Sequence, residues 1–225
     1  MVDVQFSLIE FLYAGLSLGG VGLLTILGQF LYQTNYIDGE YARKFIHMLS
    51  ALWIASWRFF LPWELVNLMA ALLGIGVIIA RRLSLLDAVF KVDRPTKGEI
   101  SYAVAIGLSA IFFRAPELFA LCIINLGFAD GLAAIVGTKY GSGKHKVLGM
   151  TKSYSGSFAC FVFAVASGLG FYIFATDTNV LQLGVALHVL AAAAAITAAE
   201  LVGYKGFDNI SIPVITGILY MSVVV

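Results

Sequence analysis

The chain has 225 residues, of which 60% are hydrophobic and 12% are charged, and its formal net charge at pH 7 is +1. About 25% of the residues of a soluble domain are charged. The composition therefore excludes an ordinary soluble protein and predicts one that is embedded in a membrane. The near-neutral charge gives no indication of a nucleic-acid partner.

Eight hydrophobic stretches follow one another along the chain, and most approach the ~20 residues that cross a bilayer. They are 6–33, 43–60, 63–80, 99–113, 116–136, 156–175, 180–202 and 207–225. We therefore predict an all-α polytopic membrane protein, a bundle of about seven to eight transmembrane helices. The connections are too short to fold alone, so we expect residues 1–225 to form a single membrane domain.

The basic residues lie almost entirely on one side of this predicted bundle. Twelve of the fourteen Lys and Arg residues fall at the connections after the first, third, fifth and seventh stretches, and only Arg58 and Arg114 fall on the other side. By the positive-inside rule these connections are cytoplasmic and the N-terminus lies outside. We expect an integral membrane protein of a prokaryotic plasma membrane, or of an ER or plastid membrane in a eukaryote. Its cytoplasmic working face is predicted to comprise segments 38–47, 81–99, 130–157 and 200–213.

A basic motif opens the second stretch, where Arg43, Lys44 and His47 lie within about one helical turn. Residues four apart, such as Arg43 and His47, share a helix face. The two basic residues either anchor the helix at the membrane surface or bind an anion. His47 either forms a hydrogen bond to a neighbouring helix or takes part in the chemistry.

Asp130 lies inside the fifth stretch, about two turns before a basic connection. A carboxylate at this depth is costly unless it faces a partner or a polar cavity. Asn125 precedes it by one turn and a residue, on roughly the same helix face. Asp130 either holds the bundle together through an ion pair with Lys or Arg, or it has a catalytic or metal-binding role.

Glycines and lysines alternate after this stretch, around Gly137, Gly141 and Lys144. Glycine lets backbone N–H groups approach an anion and lysine adds charge, so the segment has the composition of a phosphate cradle. A flexible basic loop that contacts anionic lipid heads has the same composition. Ser153 follows Lys152 at the expected start of the sixth helix, where it is placed to cap the helix, and a helix N-terminus also favours phosphate.

Acidic residues complete the working face. Glu99 follows Lys97 at the entry to the fourth stretch, Glu200 ends the seventh, and Asp208 with Asn209 opens the eighth. Mg²⁺ prefers a few carboxylates together with phosphate oxygens. Carboxylates, basic residues and glycine-rich loops on one face therefore predict a site for Mg²⁺ and a polyphosphate.

Five motifs occur in order along the chain: RKFIH (43–47), GEISYA (98–103), FADGLAAIVGTKYG (128–141), KSYSGSFACF (152–161) and E-x7-DN-x3-P (200–213). This ordered set resembles the CTP-dependent lipid-alcohol kinases, a family that contains dolichol kinase, phytol kinase and a CTP-dependent diacylglycerol kinase. The family is distantly related to phosphatidate cytidylyltransferases. The resemblance implies transfer of the CTP γ-phosphate to a membrane-embedded alcohol, giving a lipid monophosphate and CDP, with Mg²⁺ as the cofactor.

The resemblance, together with the residue types, gives single residues expected roles. Asp130 would bind the Mg²⁺–nucleotide, with Asp208 as a second metal ligand, and Lys152 would neutralise phosphate charge. The base that accepts the alcohol proton would be Asp130, Glu200 or His47, and we expect an acid rather than the histidine. The remaining residues of the face are expected to contact the nucleotide: Arg43, Lys44, Lys97, Glu99, Asn125, Gly137, Gly141, Lys144, Ser153, Gly156, Ser157 and Asn209.

One position departs from the pattern of the family. The pattern K-[ST]-x-E-G-S has Glu where this chain has Ser155, so the role of that carboxylate must pass to another acid or be lost. Two other functions stay open: a cytidylyltransferase that makes a CDP-lipid and releases pyrophosphate, and a transporter with Asp130 and Glu200 as an ion or proton relay. Polar groups that stop near one face, instead of reaching the midplane, favour the kinase over the transporter.

The sequence leaves the acceptor open among dolichol, undecaprenol, phytol, geranylgeraniol and diacylglycerol, because no residue type reads the length of a lipid tail. The expected partners are CTP, the lipid alcohol and the bilayer. Small residues of the sixth stretch permit close helix packing, either within one chain or between the two chains of a homodimer. They are Ser157, Ser167, Gly168 and Gly170.

Overall fold

The structure, a computed structural model, describes residues 6–83, 85, 98–176 and 178–224. Nearly all of its regular structure is helical, in the segments α1 (Leu8–Gln33), α2 (Gly39–Ala55), α3 (Trp63–Arg82), α4 (Gly98–Phe112), α5 (Pro116–Ile124), α6 (Asp130–Lys139), α7 (Tyr154–Ala175), α8 (Leu183–Leu201) and α9 (Asp208–Tyr220). Short 3₁₀ turns follow α2 and α9, at Trp57–Phe59 and Met221–Val223. The predicted all-α membrane bundle is confirmed.

Five of the described helices are long and apolar enough to cross a membrane: α1, α3, the continuous helix Pro116–Lys139 that contains α5 and α6, α7, and α8. Helix α4 and the segment Asp208–Val223 are shorter apolar helices. Helix α2 carries the basic motif and is the most polar of the set. Each predicted stretch therefore corresponds to one helix, while the side that faces the cytoplasm stays a prediction from the charge distribution.

The helix boundaries follow from local side chains. Ser7 caps α1 by accepting from the Glu10 N–H, and the Glu10 carboxylate accepts from the Ser7 N–H at 2.7 Å. Pro116 opens α5, where its missing N–H has no helical partner to lose. Ser153 accepts from the Gly156 N–H at 3.2 Å and caps α7, which confirms the predicted cap.

The helices pack around three apolar clusters. The first contains residues of all the helices from α1 through α5 and surrounds the fully buried Trp57 and Phe119. The second contains residues of α5, α7, α8 and α9 around Tyr220. The third contains residues of all the helices from α6 through α9 around Ile196. The outer faces of α1, α3 and α7 expose many large apolar side chains, as expected for surfaces in contact with lipid.

A small antiparallel hairpin lies in the connection between α6 and α7. Strand β1 (His145–Val147) pairs with β2 (Met150–Lys152), and Leu148 and Gly149, both with positive φ, form the two-residue turn. From the sequence we predicted only a connection here. The hairpin leads directly into α7 and places Lys152 beside the first turn of that helix.

Antiparallel neighbours bring the polar motifs to one end of the bundle. The C-terminal ends of α1, α6 and α8 meet the N-terminal ends of α2, α4, α7 and α9 there. This arrangement agrees with the single working face that the sequence predicted. Much of the predicted segment 81–99, namely residue 84 and residues 86–97, lies outside the described residues.

Candidate active site

A polar cavity of about 570 Å³ opens at the end of the bundle where the motifs meet. All four predicted segments contribute to its wall. Among the described residues of segment 81–99, Gly98 is the one that lines it. The charged residues that line it are Asp38, Glu40, Arg43, Lys44, Asp130, Lys144, Lys152, Glu200 and Asp208. The predicted segments therefore border one cavity, and their role as a catalytic face stays a prediction.

Asp130 forms a buried ion pair with Lys44 across the contact between α2 and α6. The Nε2 atom of His47 lies 3.7 Å from the Asp130 carboxylate and 3.1 Å from the carbonyl oxygen of Leu126. Charges withdrawn from water need partners, and this pair supplies one for each group. The two predicted readings of Asp130 are compatible, because the carboxylate is paired and also lines the cavity.

Two glycines and a π-helical turn set the position of Asp130. The π turn, Asn125–Ala129, joins α5 to α6 without a break, and such turns occur frequently at functional sites. A Cβ atom on Gly127 or Gly131 would lie 2.2 or 2.6 Å from side chains of α2. Their four-residue spacing lets the helices approach closely and brings Lys44 to Asp130. This spacing is a sequence signal for the contact that the motif reasoning missed.

A second ion pair, between the half-buried Lys152 and the buried Glu200, lies in the cavity wall. The Lys152 Nζ donates to Oε1 of Glu200 at 2.5 Å and to the Glu200 carbonyl oxygen at 2.6 Å. The other carboxylate oxygen of Glu200 is buried and has no hydrogen-bond partner among the described residues. Buried polar atoms are nearly always satisfied, so this oxygen is available to a ligand.

Helices α6 and α7 approach closely beside this pair. A Cβ atom on Gly156 would lie 2.6 Å from the carbonyl oxygen of Ala133, and one on Gly137 would lie 2.8 Å from Oγ of Ser153. The Ser157 hydroxyl donates to the Ser153 carbonyl oxygen at 3.2 Å. These predicted nucleotide contacts line the cavity. They also allow the two helices to pack together.

The first turn of α9 contributes Asp208 and Asn209. The Asp208 carboxylate accepts from the Asn209 N–H at 3.1 Å, and the Asn209 amide donates to the Gly98 carbonyl oxygen at 2.9 Å. The Oδ1 atom of Asn209 is buried without a hydrogen-bond partner in the described part of the chain. The contact with Gly98 ties α9 to α4 at the edge of the cavity.

Arg43 and Lys144 add positive charge to the cavity wall. Arg43 donates to the Glu40 carboxylate, with Nη2 and Oε1 2.7 Å apart. Lys144 comes from the segment just before β1. Residues that line the cavity but were not predicted as site residues include Tyr32, Asp38, Glu40, Thr138 and Thr151. They lie in or next to the predicted segments, and their residue types gave no signal.

Several predicted residues do not reach the described wall of the polar cavity. Asn125 accepts from the Ser167 hydroxyl at 3.0 Å, so its side chain contacts α7 and is not among the described residues of the polar cavity. Gly141 follows α6, where a Cβ would lie 2.2 Å from the Gly137 carbonyl oxygen. Glu99 and His47 line a second, mostly apolar cavity. Lys97 lies outside the described residues.

The described residues contain no cluster of three or more His, Cys, Asp and Glu side chains that would form a closed metal site. Mg²⁺ commonly takes one or two carboxylates and fills its remaining positions with water and phosphate oxygens. Asp130 and Asp208 line the same cavity and supply that donor set. The residues therefore fit Mg²⁺ that enters with a nucleotide.

Comparisons with known proteins agree with the motifs. The chain is 28% identical over 207 residues to phytol kinase of Synechocystis sp., across 88% of this chain and 86% of that protein. It is 30% identical over 171 residues to phytol kinase 1, chloroplastic, of Arabidopsis thaliana, across 69% of this chain and 54% of that protein. It is 28% identical over 218 residues to probable phytol kinase 1, chloroplastic, of Glycine max, across 88% of this chain and 71% of that protein.

The phytol kinase relatives support the lipid-alcohol kinase family for this chain. This confirms the resemblance seen in the five motifs. No protein-family model matches the chain, and no solved structure matches it. The roles of the single site residues stay predictions.

The position that departs from the pattern of the lipid-alcohol kinase family lies beside the cavity. The Ser155 hydroxyl donates to the Tyr140 carbonyl oxygen at 3.2 Å and lies 3.4 Å from Oγ of Ser153. Ser155 is not among the described residues that line the cavity, whereas Ser153 is. In this chain, the carboxylates that line the cavity come from helices other than α7 and from the residue before α2.

Proposed function

We propose that the chain transfers the γ-phosphate of CTP to the hydroxyl group of a membrane-embedded lipid alcohol, giving a lipid monophosphate and CDP. The observation that carries the proposal is the polar cavity, in which two ion pairs and further basic and acidic residues meet at one end of an apolar bundle. The phytol kinase relatives support the kinase reaction. The choice of CTP as donor rests on the resemblance of the motifs.

The cavity has a suitable size for a nucleoside triphosphate, while its described wall carries four basic and five acidic residues, so bound Mg²⁺ would supply further positive charge. Its volume of about 570 Å³ lies within the range of ordinary small-molecule sites. Arg43, Lys144 and Lys152 offer positive charge to phosphate oxygens. Asp130 and Asp208 would hold Mg²⁺, which when bound neutralises charge on the phosphate oxygens.

The reaction requires little covalent chemistry from the protein. The alcohol oxygen forms a bond to the γ-phosphorus while the bond from that phosphorus to the β–γ bridging oxygen breaks, and CDP leaves with the bonding electrons. The proton of the alcohol passes to a base. Catalysis therefore depends mainly on positioning and on charge neutralisation, which the residues of the cavity provide.

The base is proposed to be a carboxylate, with Asp130 ahead of Glu200. Asp130 is 3.7 Å from His47, which lines the apolar cavity, so its carboxylate lies near the boundary between the two cavities. Glu200 is held by Lys152. If Asp130→Asn and Glu200→Gln kept normal turnover while His47→Ala abolished it, the histidine would be the base instead.

The acceptor is proposed to be an isoprenoid alcohol, with phytol the first to test because the relatives are named phytol kinases. By the positive-inside rule the nucleotide would enter from the cytoplasmic side. The hydroxyl group of the lipid alcohol would come to the membrane surface between the helices. The choice of phytol and of a cytoplasmic nucleotide follows from the relatives and the sequence, and it sets the substrates of the first assay.

A transfer assay on purified protein in liposomes tests the proposal. CTP and ATP labelled at the γ-phosphate are offered with phytol, geranylgeraniol, polyprenols and diacylglycerol, and the nucleotide product is identified. Label in a lipid monophosphate together with CDP is the expected result. Release of pyrophosphate with formation of a CDP-lipid would identify a cytidylyltransferase, and no reaction with any alcohol would contradict the kinase.

A further inference from the structure

A second cavity, of about 490 Å³, lies next to the polar one between α1, α2, α3 and α4. We call it the apolar groove. Most of its wall consists of small and aliphatic side chains from α1, α3 and α4, namely Leu18, Val21, Gly22, Thr25, Ile26, Leu72, Leu73, Gly76, Val77, Ala80 and Ala103. The Thr25 hydroxyl donates to the Val21 carbonyl oxygen at 2.8 Å, so its polarity is satisfied within α1. The groove therefore suits a hydrocarbon chain.

The polar groups of the groove belong to α2 and to the first turns of α4 and α9. They are Arg43, His47, Ser50, Glu99, Tyr102 and Asn209. The rings of His47 and Tyr102 pack with their centroids 4.5 Å apart, and the Tyr102 hydroxyl lies 3.1 Å from Oγ of Ser50. The groove is thus apolar on one side and polar on another. This matches a molecule with a hydrocarbon tail and a single polar head.

The polar part of the groove adjoins the nucleotide cavity. Arg43, Gly98 and Asn209 line both. His47 lines the groove and Asp130 lines the polar cavity, with 3.7 Å between the imidazole nitrogen and the carboxylate. The polar head of a lipid bound in the groove would therefore lie next to the γ-phosphate of a nucleotide bound in the polar cavity.

One atom of this boundary lacks a partner that a hydroxyl group would supply. The Oε2 atom of Glu99 is buried and makes no hydrogen bond to any described residue. A buried carboxylate oxygen without a donor is costly, and an alcohol hydroxyl is a suitable donor. Glu99 was predicted to contact the nucleotide, but its position in the groove favours the acceptor instead.

We propose that the apolar groove binds the hydrocarbon tail of the lipid alcohol, with the acceptor hydroxyl group donating to Glu99 on binding and turning towards Asp130 when it gives up its proton. This inference rests on the proposed kinase function and adds the acceptor site to it. Leu18 to Ile26 on α1 and Leu72 to Ala80 on α3 each extend about 12 Å along the helix at 1.5 Å per residue. The groove therefore holds the first part of a long isoprenoid tail, and the rest extends into the bilayer.

Two glycines make the groove open to the side. Gly22 of α1 and Gly76 of α3 both line it and are exposed. No described atom lies within 4 Å of a Cβ atom built on either residue. A larger side chain at these positions would project into free space of the groove without a clash with the protein. The glycines therefore keep room for the lipid tail.

The test is to fill the groove from both walls, with the separate variants Gly22→Leu and Gly76→Leu. Each is expected to raise KM for phytol by at least about tenfold, because loss of complementary apolar contact changes discrimination by one to two orders of magnitude. KM for the nucleotide should stay within about twofold, since the polar cavity is untouched. Prenol, whose four-carbon main chain is too short to reach Gly22 and Gly76 from the polar end of the groove, should be used by both variants with a KM close to that of wild type.

Gly19→Leu is the matched control. Gly19 lies on the same helix as Gly22, is exposed, has no described atom within 4 Å of a built Cβ, and is not among the described residues of the groove. Its KM for phytol is expected to stay within about twofold of wild type, as for most surface substitutions. Glu99→Gln should raise KM for every alcohol tested, whatever its chain length, because it changes the contact with the hydroxyl.

The outcomes separate this inference from the proposed function. If wild type phosphorylates phytol and both groove variants match it in KM, the acceptor binds elsewhere and the inference is wrong. The same conclusion follows if Gly19→Leu impairs the reaction as much as they do. If wild type phosphorylates no alcohol at all, the proposed function fails before the groove is tested.

Discussion

The two cavities adjoin each other, yet their walls differ in chemistry. The polar cavity is lined by two ion pairs and by further charged residues from three segments of the chain. The apolar groove is lined mainly by aliphatic side chains, with a few polar groups beside Arg43 and Asn209, which both cavities share. A water-soluble nucleotide and a lipid can thus be bound separately, and only their reacting ends need to meet. Variants of the two walls should therefore affect different substrates.

The largest effect is expected at the boundary, for Asp130→Asn. This variant keeps the size of the side chain but removes the charge proposed to hold Mg²⁺ and accept the proton. Turnover should fall at least about 100-fold, as when a single group that stabilises a transition state is removed. The rate of label transfer from CTP to phytol measures it.

Glu117→Gln is the control for this charge change. Glu117 lies in the first turn of α5, 13 residues before Asp130 and hence about 20 Å away along the continuous helix. Turnover near that of wild type is expected. Because Asp130 pairs with Lys44 in a buried site, thermal unfolding in detergent must be recorded for both variants. Normal turnover of folded Asp130→Asn would contradict the role assigned to the carboxylate.

The next effect should be confined to the nucleotide side, in Lys152→Met. The substitution keeps most of the side-chain volume and removes the positive charge. KM for CTP should rise at least about tenfold, because hydrogen bonds to charged groups contribute about 1.5–3 kcal/mol. KM for phytol should change by no more than about twofold. A rise in the KM for phytol alone would show that Lys152 contacts the lipid substrate and would contradict its role in nucleotide binding.

A smaller effect, on stability, is expected from Gly137→Ala. The new Cβ atom would lie 2.8 Å from Oγ of Ser153, which caps α7, so either the cap is broken or the two helices move apart. Overpacking of this kind costs about 1–3 kcal/mol. The melting temperature in detergent should fall. Gly170→Ala, where no described atom lies within 4 Å of the new Cβ, should leave it unchanged or raise it slightly.

The smallest effect is predicted for Ser155→Glu, which restores the residue type of the family pattern. Ser155 is in the first turn of α7, where a negative charge interacts favourably with the helix dipole by about 0.3–1 kcal/mol. Because Ser155 does not line the described cavity wall, KM for CTP should change by less than about threefold. A large gain in the use of CTP over ATP would show that position 155 selects the nucleotide.

The helices were predictable because the bilayer requires long apolar runs, and each of the eight stretches corresponds to a helix. The cavity was predictable in outline because buried charges need partners, and Asp130, Lys44, Lys152 and Glu200 do meet at one end of the bundle. The pairing of each basic residue with a particular acid was not predictable, because it depends on how helices distant in sequence pack together.

Other features gave no usable sequence signal. In a membrane protein the residues that line an apolar groove are of the same types as those that face lipid. Leu72 and Val77 therefore did not reveal the groove. The hairpin turn at Leu148 and Gly149 places leucine at positive φ, which its residue type disfavours. Asn125 was expected beside Asp130, but the Ser167 hydroxyl on α7 provides its partner.

The most direct test of the account is a two-substrate kinetic analysis of wild-type protein in liposomes. The rate of label transfer from γ-labelled CTP into lipid monophosphate is measured over a range of phytol concentrations at several fixed CTP concentrations. Two adjoining sites predict direct transfer in a ternary complex, so the double-reciprocal lines should intersect. Parallel lines would indicate a phosphorylated enzyme intermediate and would contradict direct transfer between the two cavities, and absence of label from the lipid would contradict the kinase itself.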